Sequence, residues 1–364
     1  MFSKVKDFFS RHRRKFIVTG VVVGGSYFAY RYAMRKLIEF QEKQTRDFLE
    51  QTRRTQHYES TERTCNQVIV GLSSKMFDEI IKLLNSEAIM EQLRNNPDNK
   101  VELWNELKVL SLTRLTVFIY ASSMLTITLR TQVNVLGGYL FKDNAKVGQQ
   151  PSVTEDVREK YLSLIQHFLE SGIEDLVEFI KKQVAEVMSG HELVQPITIS
   201  DIEQIFWSIQ MGVNSDIKND PNSKMSKYVL PKELQESTPT LQQMFNETLD
   251  LLESEEVVAL SSNNICRGFS IAVDNIAEYL DGSTGPKIQE VNANEVVDVT
   301  KQLLNINRIE LPLVKLIPIL LGITTKGMNS AEKPQNLATS LTTFYMVNDK
   351  IKTLGANIYE SFST

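Results

Sequence analysis

Few residues of this chain have the types and spacing that catalysis or metal binding requires. The four histidines stand far apart, at His12, His57, His167 and His191. His191-Glu192 begins like the zinc-protease motif HExxH, whose two histidines bind the metal from consecutive turns of one helix. Position 195 is Gln, however, so the second histidine ligand is missing. The sequence therefore predicts no metal site.

Two further stretches resemble catalytic loops only superficially. Residues 282–287 read GSTGPK, but the spacing is wrong for a phosphate-binding loop and Pro286 replaces its second glycine. Ser73-Ser74 lacks the Gly-x-Ser-x-Gly frame of a nucleophile elbow. We therefore expect no enzymatic activity and no cofactor. An enzyme whose site is assembled from distant residues is the alternative.

The cysteine content bears on the compartment in which the protein works. Cys65 and Cys266 are the only cysteines, and they do not form a CxxC pair. A secreted scaffold held together by disulfides uses many more. The main part of the chain is therefore expected to face a reducing compartment.

Trp104 has a position that suggests binding rather than catalysis. At 100° per residue, one apolar stripe marks the core-facing side of a predicted long helix. Its members are Leu103, Leu107, Leu110, Val117, Ala121 and Leu125. Trp104 lies roughly 100° from the centre of this stripe, level with Lys100, Lys108 and Ser111. Either Trp104 covers the edge of the core beneath the lysine stems, or it is an anchor for a docking partner.

The elements that would position these residues are predicted to be helices throughout. Apolar residues recur at three-to-four spacing, and sustained alternating strand patterns are missing. The predicted helices are 64–93, 99–134 closed near Gly137-Gly138, 157–187 with an interruption at Gly172, a shorter one from Ser200, 239–260, 263–280, 292–308, 311–326 and 335–361. Residues 212–240 are expected to form a mobile loop. Residues 115–129 are too short for a second membrane span, so we expect a core helix there.

The N-terminal segment differs in charge from the rest of the chain. Residues 1–36 hold nine Lys/Arg and one Asp, a balance of +8, so residues 37–364 carry −13 of the total of −5. A body this acidic is a poor nucleic-acid binder. Residues 16–34 are uncharged except for Arg31, and a snorkelling arginine brings their length near the roughly 20 residues that span a bilayer.

These features predict a membrane-anchored protein with a large helical body. A small-x-small cleavage site is missing after the apolar stretch, so the anchor is expected to stay uncleaved; a buried core helix is the alternative. The predicted organisation is a basic segment at 1–15, a transmembrane anchor at 16–34, a helical arm at 35–62 and an all-helical partner-binding domain at 63–364. The reducing character of the body favours the cytosolic side of the membrane.

Several blocks of the sequence resemble the peroxin-3 family of peroxisomal biogenesis factors, in its animal-type form. They are HYESTERTCN (57–66), NPDNKVELWNELKVLSLTR (96–114), QVNVLGGYLFKDNAKVG (132–148), CRGFSIAVDNIAEYL (266–280), LPLVKLIPI (311–319) and ANIYESFST (356–364). They follow one another in family order over nearly the whole chain. The stretches 212–240 and 281–300 diverge from the family pattern.

The resemblance implies a docking receptor in the peroxisomal membrane rather than an enzyme. Its partner would be the N-terminal amphipathic helix of peroxin-19, which carries newly made peroxisomal membrane proteins as cargo for insertion. The family's binding groove is matched here by Leu93, Lys100, Trp104, Leu107, Pro312 and Lys315, while Met90 stands where the family varies.

The resemblance also implies an address in the N-terminal segment. The peroxisomal signal would lie in the first thirty-odd residues and include Arg11, Arg13, Arg14 and Lys15. The anchor would contact peroxisomal membrane lipids, and transit through the endoplasmic reticulum is compatible with it. The alternative is an adaptor anchored in the mitochondrial outer membrane or the endoplasmic reticulum that binds another amphipathic helix.

Overall fold

The structure, a computed structural model, describes residues 2–145, 150–234, 237–284, 309–325 and 336–364, without the side chains of residues 2–26, 29 and 281–284. The chain divides into two units, Met1–His57 and Tyr58–Thr364. The described residues of both units are almost entirely helical. The prediction of an all-α protein built from long helices is therefore confirmed.

The first unit is formed by the beginning of helix α1, Phe2–Leu83. Its described large apolar side chains are exposed, and they include Tyr27, Phe28, Tyr30, Tyr32, Met34, Leu37, Ile38, Phe40, Phe48 and Leu49. The predicted basic segment at 1–15 and most of the predicted anchor at 16–34 lie outside the described side chains. Both stay predictions.

The end of α1 differs from the prediction. The apolar spacing predicted one helix over 64–93, but α1 ends at Leu83 and a second helix, α2, spans Ser86–Arg94. Asn85 caps α2, because its side chain accepts hydrogen bonds from the backbone N–H groups of Glu87 and Ala88. Helical spacing resumes after two residues, so the periodicity alone did not reveal the break.

Helix α3, Lys100–Ala145, lies at the centre of the second unit. It is surrounded by other helices and is buried on every side from Leu110 to Gly138. Among the described residues it is the one helix long and apolar enough to cross a membrane, and its apolar window is completely buried within the protein. The prediction that residues 115–129 form a core helix is confirmed.

The sequence pattern predicted that α3 would end near Gly137-Gly138, and this was wrong, because the helix continues to Ala145. A Cβ on Gly138 would lie 2.5 Å from the Cβ of Phe362, and one on Gly137 would lie 2.8 Å from the Cγ2 of Thr61. The two glycines therefore allow neighbouring helices to approach α3 closely. The low helix propensity of glycine predicted a helix end, but here the lack of a side chain makes room for the residues that pack against α3.

The chain after α3 forms shorter elements. They are α4 (Glu155–Ser163), α5 (Ile165–His167), a π-helical turn (Phe168–Gly172), α6 (Ile173–Met188), β1 (Pro196–Ile197), α7 (Ile199–Ser215) and α8 (Met225–Val229). The interruption predicted at Gly172 is confirmed by the π-helical turn. The expectation of a mobile loop at 212–240 is wrong for its described residues, because Met225, Tyr228 and Val229 are buried.

The remaining described elements complete the second unit. They are α9 (Pro239–Leu252), α10 (Glu255–Thr284), β2 (Leu311–Pro312), α11 (Leu313–Thr324), α12 (Leu337–Val347) and α13 (Asp349–Ser363). The break predicted near residues 260–263 falls at 253–254 instead, and the helix predicted at 335–361 is divided at Asn348, which caps α13. The helix predicted at 292–308 lies outside the described residues. Strands β1 and β2 pair antiparallel, and two residues each are too short for an alternating pattern.

Candidate partner-docking site

The first part of the candidate site is the turn between α2 and α3. Leu93, near the end of α2, is partly buried and packs against the core. Asn96 adopts a positive φ of 54°, which makes it the one non-glycine residue with this conformation in the described part of the chain. Asparagine tolerates the left-handed region better than most residues, so the chain can reverse here and start α3 at Lys100.

A buried cation fixes α2 to α3. Arg114 is 2% exposed and donates hydrogen bonds to the Leu84 carbonyl and, at 2.9 Å, to Ser86 Oγ. Burial lowers the pKa of the Arg114 guanidinium to about 10, which leaves it charged at neutral pH. The position of α2, and with it Leu93, is therefore set by a side chain of α3.

Trp104 lies in the second turn of α3 and is half-buried. One part of its ring packs against the hydrophobic core. Within the described residues its indole N–H has no hydrogen-bond partner. A buried indole N–H usually finds a partner, so a free one next to solvent is available to another molecule. The ring therefore covers the edge of the core, as the first interpretation predicts, and part of it stays open to solvent; its role as a docking anchor stays a prediction.

Of the two lysines predicted beside Trp104, only Lys100 has the predicted exposure. Lys100 is exposed, as predicted, and forms no ion pair with any residue that the structure describes. Glu102 and Glu106 lie roughly 160° around the helix from Trp104, so the side of α3 that carries the indole is positive. Leu107 is 1% exposed and can support a docked partner only from beneath.

The prediction that Lys108 stands beside Trp104 on the open side is wrong. Lys108 is only 4% exposed, and its Nζ donates hydrogen bonds to the carbonyls of Met188 (3.1 Å) and His191 (2.6 Å). Burial lowers the pKa of the Lys108 ammonium. Ser111 is fully buried as well. The end of α6 covers this face of α3, and the angular position of a residue on one helix cannot reveal which other helix packs there.

The second part of the candidate site is the start of α11. Pro312 is partly buried in β2 and pairs with Pro196 of β1, and Lys315 is exposed in the first turn of α11. The N–H groups of Leu313 and Val314 donate to the carbonyls of Gln195 (2.9 Å) and Leu193 (2.8 Å). The first N–H groups of a helix have no partner within it, so the segment before β1 satisfies them here.

The six predicted residues lie on three elements, and two of these elements pack against the third. Leu93 lies on α2, while Lys100, Trp104 and Leu107 lie on α3; Pro312 and Lys315 lie at the β2–α11 junction. Both α2 and α11 pack against α3. Like Lys100, Lys315 has no ion-pair partner among the described residues.

A neighbouring cleft was not predicted from the sequence. It has a volume of about 630 Å³ and is lined by Val101, Asn105, Lys108, Val109, Ala185, Met188, Ser189, His191, Glu192, Leu193 and Val194. None of the six predicted residues lines it. Its outer edge is apolar, since Val101 and Val194 are both strongly exposed. In the sequence, Val101 and Val194 are two apolar residues that belong to no helical stripe, so no pattern predicted that they lie together at a cleft.

Residues that could have bound a metal are not assembled in the described part of the chain, where no group of three or more His, Cys, Asp or Glu side chains comes together. His191 lies outside any helix, and its Nδ1 is 3.3 Å from the amide oxygen of Gln195. The segment that resembles a zinc motif therefore lacks the helical geometry of that motif.

Comparison with known proteins shows similarity over the whole chain. The family model described as Peroxin-3 matches residues 7–100, 94–141 and 139–359. The chain is 33% identical over 383 residues to the peroxisomal biogenesis factor 3 of Homo sapiens, covering 100% of this chain and 98% of that protein. The protein of the same name from Bos taurus is 32% identical over the same shares. Peroxisome biogenesis protein 3-1 of Arabidopsis thaliana is 28% identical over 229 residues, 56% of this chain and 63% of that protein.

Proposed function

This chain belongs to the peroxin-3 family and has a function in peroxisome biogenesis, and from that premise we propose that it is a docking receptor for peroxin-19. The bound element is the N-terminal amphipathic helix of peroxin-19, and the cargo is a newly made peroxisomal membrane protein on its way to membrane insertion. The observation that carries the proposal is Trp104, half-buried on α3 with its indole N–H unpaired among the described residues.

The surroundings of Trp104 support an amphipathic helix as the partner. An apolar surface flanked by charge is what a helix-in-groove interaction needs. Lys100 lies one turn before Trp104, and Lys315 lies on α11, which packs against α3. Neither lysine has an ion-pair partner among the described residues, so both can attract acidic residues that flank the apolar face of the partner.

The six residues have different roles in this proposal. Trp104 is the anchor, because large half-exposed aromatics dominate the energetics of such interfaces. Leu93 and Pro312 provide apolar contact from the two elements beside α3, and Lys100 and Lys315 provide charge. Leu107, which is buried, supports the floor of the site.

The membrane part of the proposal concerns the N-terminal unit. Residues 16–34 anchor the chain by a single pass in the peroxisomal membrane, and Arg11, Arg13, Arg14 and Lys15 belong to the address. The body, residues 63–364, then lies in the cytosol, where peroxin-19 can reach it. The absence of any recognisable catalytic motif in the sequence agrees with a receptor rather than an enzyme.

Titration calorimetry tests the receptor function directly. Full-length protein in detergent micelles is titrated with a peptide of the N-terminal helix of peroxin-19, and the control is a peptide of the same composition in scrambled order. Saturable binding of the native peptide alone is expected. The receptor function is refuted if neither peptide binds, or if the two peptides bind equally well.

The organelle to which the N-terminal segment directs the chain distinguishes this proposal from the alternative, an adaptor of another organelle. A fluorescent fusion of residues 1–45 is expected on peroxisomes. A second fusion, with Arg11, Arg13, Arg14 and Lys15 changed to Ser, is expected to lose this localisation. A purely mitochondrial or reticular signal from the unchanged fusion would favour the adaptor.

A further inference from the structure

The segment between α6 and β1, residues 189–195, links α3 and α11, two of the three elements that carry the proposed docking residues. One side of it is held by α3, which carries Trp104, and the other side holds the start of α11, which carries Lys315. It was not part of the predicted site.

The first link is the buried ammonium of Lys108. Its Nζ donates to the carbonyl of Met188, the last residue of α6, and to that of His191 three residues later. The last carbonyls of a helix have no partner within it and carry partial negative charge, so a cation is favoured there. Within the described residues, the Lys108 side chain thus joins α3 to the C-terminal end of α6 and to the segment that follows.

The second link is made by the backbone of the same segment. The carbonyls of Leu193 and Gln195 accept hydrogen bonds from the N–H groups of Val314 and Leu313, and β1 pairs with β2 directly afterwards. Lys315 is the next residue after Val314. The first turn of α11 is therefore held by the segment that Lys108 fixes.

The rest of α11 has an independent attachment. It packs against α3 and buries Leu316, Ile317 and Leu320 almost completely. Loss of the Lys108 link would consequently leave α11 in place and loosen only its first turn. That first turn is the part that presents Lys315 to solvent.

We propose that Lys108 is a positioning residue of the docking site, which acts through residues 189–195 to hold Lys315 in register with Trp104. The inference rests on the proposed function for its binding consequence, but its structural part does not. Lys108 itself is 4% exposed and is not expected to contact the partner. It would set the geometry in which α3 and the first turn of α11 act on the same docked helix.

The structural part is tested by hydrogen exchange on the free full-length protein in detergent. Lys108→Met keeps the length and apolar stem of the side chain and removes its three donors. Exchange in the peptides that contain residues 189–195 and 313–314 is expected to rise about 10- to 100-fold, because hydrogen bonds to a charged group are lost. The buried middle of α3 should keep its protection. Arg114→Met is the matched control, since it removes another buried cation of α3 and should affect the start of α2 instead.

The binding part is tested by a double-mutant cycle with the peroxin-19 peptide. In the wild-type background, Lys315→Ala is expected to weaken binding about threefold to fivefold, as is common for an exposed charge near an interface. In the Lys108→Met background the same change should weaken it less than about 1.5-fold, because Lys315 is no longer held in position. In the Arg114→Met background the Lys315→Ala effect should keep its full size.

Two results would overturn the proposal. One is unchanged exchange at residues 313–314 in Lys108→Met. The other is a Lys315→Ala effect of the same size in both backgrounds, which would make Lys108 a stabilising residue only. If Lys108→Met does not fold, Lys108→Gln, which retains an amide donor, is compared in the same way with half-sized effects expected. If the wild-type protein fails to bind the peptide, the receptor function is refuted, and the exchange experiment alone decides whether Lys108 positions α11.

Discussion

Replacing Trp104 by alanine tests the docking site at its central side chain, and the structure gives the expected size of two separate effects. The indole is half-buried, so one part of it contacts the core and the other part faces solvent. Truncation therefore weakens both the fold and the binding of a partner. The two losses must be separated before the result bears on function.

The binding loss and the stability loss should be of similar size, so each is measured separately. A central aromatic anchor costs about 2 to 4 kcal/mol of binding free energy when truncated, which weakens Kd roughly 30- to 800-fold. Complete burial of a tryptophan would make the stability loss about 3 to 5 kcal/mol, and Trp104 is partly buried, so its truncation should cost about 2 to 4 kcal/mol of folding stability. A domain with a free energy of unfolding of about 5 to 15 kcal/mol stays folded after such a loss.

The second tryptophan of the chain provides the control. Trp207 lies on α7, is 62% exposed and belongs to none of the three elements of the proposed site. In calorimetric titrations with the peroxin-19 peptide, Trp207→Ala should change Kd less than about twofold, as expected for a residue outside the interface. Circular dichroism and thermal unfolding of both variants confirm that each is folded at the titration temperature.

Fluorescence gives an independent readout, because the chain holds only two tryptophans. In Trp207→Phe, all indole emission comes from Trp104. Docking removes water from the exposed part of this ring, so the emission should shift to shorter wavelength as the peptide saturates the protein. An unchanged Kd for Trp104→Ala, or constant emission on saturation, would refute the role of Trp104 as an anchor and leave it as a cover of the core.

Three further predictions concern the body that supports the site. Arg130 is 0% exposed, and its Nη1 lies 3.5 Å from Oε1 of Glu62, whose side chain is 22% exposed. Arg130→Met should lower the free energy of unfolding by about 1 to 3 kcal/mol in urea denaturation, because the partly buried carboxylate loses its cation. Gly138→Ala should lower the free energy of unfolding by about 1 to 3 kcal/mol, because the new Cβ would clash with α13. Gly71→Ala, which has nothing within 4 Å of its new Cβ, should raise the free energy of unfolding by about 0.5 to 1 kcal/mol, and equal effects of the two changes would contradict the close approach of α13 to α3. Burial raises the pKa of the Cys65 thiol from an ordinary value near 9 to about 11. As the pH rises, the unfolded chain therefore loses this proton before the folded protein does. The free energy of unfolding should consequently fall by up to about 3 kcal/mol between pH 9 and 11. Cys65→Ala should lack this part of the decline, and parallel pH profiles of the two proteins would contradict it.

The parts of the fold that could be predicted from the sequence are those set by local periodicity. The spacing of apolar residues predicted the long central helix, and its angular arithmetic placed Lys100 and Trp104 on the open side of α3 correctly. The same arithmetic placed Lys108 there too, and that was wrong. Lys108 differs from Lys100 because its ammonium donates a hydrogen bond to the carbonyl of Met188 at the end of α6, which buries the side chain.

Other errors have the same origin in long-range packing. Gly137-Gly138 is a helix stop by propensity, but Phe362, more than 200 positions later in the chain, needs the space above it. The polar stretch at 212–240 was expected to be mobile by composition, yet Tyr228 is buried and its hydroxyl donates to the Asn219 carbonyl. A two-residue strand pair such as β1–β2 has no periodic signal at all, although it positions Pro312.

The location of the proposed site follows from how α3 is enclosed. From Leu110 to Gly138 the helix is covered on every side, so only its two ends can meet another molecule. At the C-terminal end, Tyr139 donates to the Glu247 carboxylate and its ring stacks on Phe362, so intramolecular contacts already use that surface. At the N-terminal end, Trp104 keeps an unpaired indole N–H within the described residues. Under the proposed function, a partner that recognises α3 is therefore expected to bind at its first turns. Residues that fix the elements around those turns, as Lys108 and Arg114 do, are then expected to affect recognition without contacting the partner.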